Sequence, residues 1–113
     1  MHEMALAQGI LEIVLKTAVE QRASKVTSIK LLIGQMIQVE PECLTFGFEA
    51  LAMGTVAEGA QVTIEITPLI GQCNSCGEQF TVEKYCFICP LCNSTSIVVV
   101  SGRELAVDYL EVE

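Results

Sequence analysis

Tryptophan is absent from this chain, aromatic residues make up only 5% of it, and histidine occurs once. A core without large rings must be built from aliphatic side chains. Hydrophobic residues, at 51%, supply enough of them to exclude a disordered tail. Basic residues are scarce as well: 6 Lys and Arg stand against 14 Asp and Glu, for a formal net charge of −8. Such a surface repels phosphate backbones and anionic lipid, so neither nucleic acid nor membrane is an expected partner. No run approaches the roughly 18 apolar residues of a membrane span. The start has no basic stretch, and Glu3 and Glu12 interrupt its apolar residues, so no signal peptide is expected. The expected compartment is the cytoplasm, where thiols stay reduced. There, six cysteines suggest metal ligands before disulfides, and five of them fall between Cys73 and Cys92.

The 113 residues suit one domain with a small satellite. Residues 3–22 predict an amphipathic helix, with Leu6, Ile10, Ile13, Val14 and Ala18 at helical spacing. "KVTSIKLLIG" alternates, placing Ile29, Leu31 and Ile33 on one face of a strand that Gly34 closes. "EPECLTFGFEALAMG" predicts a second helix with Pro41 in its first turn, Leu44, Phe48 and Leu51 inward, and Gly54 as its stop. Gly47 weakens that helix locally, and Cys43 reads as a small buried residue within it. "AQVTIEITP" is a strand with Val62, Ile64 and Ile66 on one face. "RELAVDYLEVE" is a last strand with Leu105, Val107 and Tyr109 together, although Leu110 and Val112 disturb the alternation. The expected fold class is α+β: two helices packed on a three-stranded sheet, with an inserted zinc-ribbon-like lobe. Residues 1–67 and 98–113 form the body in this reading, and residues 68–97 form the lobe inserted before the last strand.

"CNSC" and "CPLC" give C-x2-C, twelve residues, then C-x2-C, with Gly77 and Pro90 suited to the tight turns. Two such turns place Cys73, Cys76, Cys89 and Cys92 around a tetrahedral zinc ion at about 2.3 Å. Iron in the same four thiolates, or a redox dithiol pair, are the other chemistries this spacing allows. Cys86 competes, since "CFIC" is also C-x2-C, but Pro90 favours the Cys89–Cys92 turn. Four thiolates leave no open coordination position, so the metal is read as structural and not catalytic.

The lone histidine, His2, stands beside the amino terminus. The Met1 amine, the His2 backbone nitrogen and the His2 imidazole form fused five- and six-membered chelate rings. Glu3 can add a fourth donor. Nitrogen-rich sets of this kind suit Ni(II) or Cu(II), although position 2 also tolerates any solvated residue.

The initial "MHE", the "IGQ" after the first strand, "VEPECLTFGFE", and C-x2-C followed by C-P-x-C together resemble the HypA/HybF family. Its members are nickel metallochaperones for the maturation of nickel–iron hydrogenases, and the resemblance covers the whole chain. It implies that His2 is the essential nickel ligand, with Glu3 as its acidic neighbour and Glu40 as a further acidic residue at the nickel end. It also implies that Cys73, Cys76, Cys89 and Cys92 hold structural zinc. The implied partners are a HypB-type GTPase and the hydrogenase large-subunit precursor, and the implied role is a carrier, not an enzyme. The chain departs from the family in carrying Cys86 and in lacking histidines near the cysteines, so zinc-linked pH sensing is not carried over. The competing readings are a zinc-ribbon interaction or regulatory module without nickel chemistry, and electron transfer through iron.

Overall fold

The computed structural model describes residues 3–113. Helix α1 spans Glu3–Glu20 and strand β1 spans Val26–Gly34, followed by a single 3-10 turn, Gln35–Ile37. Helix α2 (Pro41–Ala52) and strand β2 (Gln61–Thr67) come next. Three short strands follow, β3 (Ile70–Cys73), β4 (Gln79–Thr81) and β5 (Ile97–Ser101), and β6 (Leu105–Val112) ends the chain. The first sheet has the order β2-β1-β6 and the second β4-β3-β5. Strand β2 runs parallel to β1, which demands a crossover, and α2 supplies it. Strand β6 pairs antiparallel with β1. The expected α+β class is what the structure has.

The core lies between the two helices and one face of the first sheet. Leu6, Ala7, Ile10, Leu11, Val14 and Ala18 form the buried stripe of α1, and Leu44, Phe48 and Ala52 that of α2. Val26, Ile29, Leu31 and Ile33 meet them from β1. Ile13, expected on the α1 stripe, is 53% exposed. At 100° per residue it falls beside that stripe, where it lines a shallow groove with Leu105 and Ala106. Gly47 is buried, and an added Cβ would lie 2.6 Å from the Met4 Sδ. The flexible Met4 side chain of α1 fills the space that a side chain at Gly47 would take.

The last strand differs from its expected alternation. Tyr109 pairs with Lys30 and Val107 with Leu31, so Asp108 is an extra residue. This bulge turns Tyr109 away from the core and brings Leu110, opposite Ile29, back into it. A matching irregularity at Thr27 lets Val26 and Ile29 both face inward. Ile66 is exposed near the end of β2, where it lines a concavity with Val39, Pro41 and Tyr85.

The chain leaves the first sheet at Thr67 and rejoins it at Leu105, with the whole second sheet in between. The expected boundary at 97/98 falls inside β5, whose residues pair with β3 and not with the first sheet. At the crossing point, Gly34 packs directly on the backbone of Gly102. The Gly34 N–H donates to the Glu104 carbonyl at 2.6 Å, and the Met36 N–H to the Gly102 carbonyl at 2.9 Å. Gln35 joins the two parts: its side-chain oxygen accepts the Leu69 N–H at 3.1 Å, and its carbonyl accepts the Tyr85 hydroxyl at 3.4 Å. The result is elongated, 54 × 25 × 16 Å with a radius of gyration of 17.4 Å. A compact chain of this length would have about 13 Å. Among the described residues no helix is long and apolar enough to cross a membrane.

Candidate metal centres

The second sheet has little core of its own; beyond the cysteines, Leu69 and Val82 are its fully buried side chains. What organises its far end is sulfur. Strand β3 ends at Cys73, and the chain then turns so that the Gly77 N–H donates to the Cys73 carbonyl at 2.9 Å and the Cys73 N–H to the Glu78 carbonyl at 2.9 Å. Gly77, at φ +80, takes the left-handed conformation this turn needs. The second turn repeats the first. The Asn93 N–H donates to the Cys89 carbonyl at 2.9 Å and the Cys89 N–H to the Ser94 carbonyl at 3.0 Å, with Asn93 at φ +60. Asn93 is the residue the sequence reading missed. Its signal was its place, four residues after Cys89 as Gly77 is four after Cys73, and asparagine tolerates that conformation.

These two turns bring together the sulfurs of Cys73, Cys76, Cys89 and Cys92, all within 4.8 Å of one another. The Cys73–Cys92 and Cys76–Cys89 pairs are each 3.5 Å apart. Four sulfurs at about 2.3 Å from a tetrahedral ion stand roughly 3.8 Å apart, so the set fits zinc. Cys73 and Cys89 are buried, while Cys76 and Cys92 face outward. Cys86 is exposed and outside this cluster, its N–H donating to the Glu83 carbonyl at 2.9 Å.

Backbone N–H groups prepare the cluster for anionic sulfur. The Cys76 N–H, assisted by that of Ser75 at 3.3 Å, draws the Cys73 thiol down to about 6. For Cys76 the Glu78 N–H is the strongest influence and also lowers it. The Cys89 sulfur and burial nevertheless outweigh that pull and push it up to about 12. Cys92 is likewise raised: the Ser94 N–H lowers it, but the Cys73 sulfur and burial prevail. One sulfur readily becomes a thiolate and its neighbours then resist, as like charges in contact must. A divalent cation removes that conflict and takes all four as thiolates.

In the first sheet's part of the molecule, on the side of the crossing, Glu3 opens α1 and Glu40 takes the N-cap position of α2. The Glu40 N–H donates to a Glu3 carboxylate oxygen at 3.3 Å, which ties the start of one helix to the start of the other. The expected donors Met1 and His2 lie outside the described residues. Cys43, expected to be buried, is exposed. Leu44, Gly47 and Phe48 occupy the inward face of α2, and Cys43 falls beside them, lining a concavity with Glu3, Met4, Glu42 and Phe46.

Residues 1–112 match the model of a family described as HypA, hydrogenase/urease nickel incorporation, metallochaperone. The hydrogenase maturation factor HypA of Desulfitobacterium hafniense is 43% identical over 113 residues, covering 100% of this chain and 99% of that protein. Its counterparts in Geobacter metallireducens and Chlorobaculum tepidum are 44% and 41% identical, each over 100% of both chains. The solution structure of the nickel metallochaperone HypA from Helicobacter pylori superposes with a TM-score of 0.72 at 20% identity. That match covers 99% of this chain and 97% of that one, which shows a shared fold. With a family model spanning almost every residue and full-length relatives above 40% identity, the chain belongs to the HypA family.

Proposed function

We propose that this chain is a carrier that binds Ni(II) at its N-terminus and delivers it for maturation of a nickel–iron hydrogenase in the cytoplasm. Membership of the HypA family across residues 1–112, a span that includes His2, carries this reading. The bond between Glu3 and the Glu40 N–H supports it, because it holds the residue after His2 against the start of α2. His2 supplies the imidazole and Met1 the terminal amine, with carboxylate from Glu3 or Glu40 completing an open, readily displaced set of donors. A carrier needs that openness, since a receiving protein must be able to displace its ligands. Zinc sits on Cys73, Cys76, Cys89 and Cys92 and organises the second sheet without taking part in chemistry. The partners are a HypB-type GTPase and the hydrogenase large-subunit precursor.

Nickel titration with zinc content measured in parallel tests this. His2→Ala should abolish specific nickel binding and leave zinc in place. One residue added before Met1 converts the amine into a weakly donating amide and should impair binding nearly as much. Affinity should fall steeply as pH drops from about 8 towards 6, because protons then compete for an imidazole near ~6.5 and an amine near ~7.7–8.0. Equal nickel binding by wild type and His2→Ala would overturn the assignment.

A further inference from the structure

The outward face of α2 is not what a solvated helix surface requires. Glu42, Phe46 and Glu49 follow one another at helical spacing on that face, with Met53 just past the helix end, and Phe46 and Met53 are 74% and 70% exposed. Phe46 stands where three concavities meet. One lies between α2 and the free edge of β2, floored by Val62 and Ile64. A second runs towards the start of the chain, to Glu3 and Cys43. The third runs to Met53 and Ala60. A contiguous apolar surface of this kind marks a contact, whereas scattered exposed side chains do not.

Among the described residues its charge is one-signed. Glu42, Glu49 and Glu58 rim the three concavities, and no Lys or Arg lines any of them. Among the described residues the one ion pair is Lys30–Glu65, on a different surface, so these carboxylates have no cation of their own. We propose that this face of α2 docks a segment of a partner protein that carries an apolar side chain flanked by Lys or Arg. Aromatic and methionine anchors inside a charged rim are the anatomy of such interfaces. A second copy of this chain is disfavoured, since a two-fold contact would set these carboxylates against each other. Phosphate-bearing partners meet the same repulsion.

The concavity shared by Phe46 and Glu3 places the docked segment beside the chain start. On the nickel-carrier reading, on which this last step rests, the receiving protein would therefore bind next to the cargo.

The test measures the affinity of the full chain for the purified GTPase and for the purified large-subunit precursor. Wild type is compared with Phe46→Ser and Glu49→Lys, both at exposed positions that should leave the fold and zinc content unchanged. Each substitution should weaken binding to at least one of the two proteins by roughly tenfold or more. Wild-type affinity should also fall as salt rises. Unchanged affinity for both proteins, or no binding of either by wild type, would overturn the proposal. So would sedimentation showing a wild-type dimer that Phe46→Ser converts to monomer, which would identify a second copy as the occupant. Nickel titration of the same variants separates the two readings. If wild type binds no nickel while Phe46→Ser still loses the partner, the docking face stands and the carrier reading falls.

Discussion

Glu104 shows how much one side chain can hold at the junction of the two sheets. Its carboxylate accepts the Gly102 N–H at 2.9 Å and the hydroxyl of Thr67, so it clamps the outgoing strand to the returning one. Those donors, Thr67 first and Gly102 next, hold its carboxyl below the usual carboxylate range. A depressed folded pKa contributes stability that is fully present above the unfolded value, about 4.3, and lost as pH falls through the folded value. Glu104→Gln should therefore lower the thermal midpoint at pH 7, and its difference from wild type should shrink in melts taken below about pH 4. A constant difference across that range would mean that shape, not charge, matters at this position. Nothing in the sequence marks Glu104, because its partners lie 37 and 2 residues away and meet only through the fold. The zinc-type ligands were legible for the opposite reason: all four sit in two short turns, so spacing alone carries their geometry. Cys43 was misread because one step along a helix moves a side chain 100° from the core stripe.

Among the elements, the helices and first two strands were legible because each carries its own apolar period over seven or more residues. Strand β6 was legible in place but not in facing, since the bulge at Asp108 is set by pairing with β1 and showed in the sequence only as the disturbed alternation at Leu110 and Val112. The short strands β3, β4 and β5 were hidden for a related reason. At three to five residues each they have too few positions for a pattern. Their stability has the same weakness, with Leu69 and Val82 as the fully buried aliphatic side chains there. Metal binding and folding of this part should then be one event. Cys73→Ser or chelation of the zinc should abolish hydrogen-exchange protection in β3–β5 while α1, α2 and the first sheet keep theirs. Cys92→Ser should lower zinc content, and Cys86→Ser should leave it at the wild-type level. The reverse pattern for Cys86 and Cys92 would replace the Cys89–Cys92 turn with the Cys86–Cys89 one.

At the scale of the whole molecule, the two sheets form one elongated body, with the four-cysteine cluster in the part that carries the second sheet, and one narrow crossing joins them. That crossing is built on Gly34. A Cβ at this position would fall on the Gly102 carbonyl and lie 2.6 Å from the Arg103 backbone nitrogen. Both obstacles are backbone, held by the Gly34–Glu104 and Met36–Gly102 hydrogen bonds, so no rotamer change can relieve the contact. Nor can Gly102 yield easily, since at φ +108 it already packs against the Leu69 backbone. Gly34→Ala must therefore push the second sheet away from the end of β1 and strain the Gln35 contacts to Leu69 and Tyr85. The expected cost is roughly 1–3 kcal/mol, as for overpacking a tight site. The methyl meets the backbone of Gly102 and Arg103 and none of the four cysteines, so zinc content should not change. What should change is shape, read as a shift in the small-angle scattering profile from that of a 17.4 Å radius of gyration. Gly47→Ala provides the control. Its added methyl meets the flexible Met4 side chain and, at an ordinary contact distance of 3.8 Å, the Ala7 Cβ, so it should leave the scattering profile as it is. A scattering profile for Gly34→Ala identical to wild type would show that the crossing absorbs the methyl locally and does not set the angle between the two sheets.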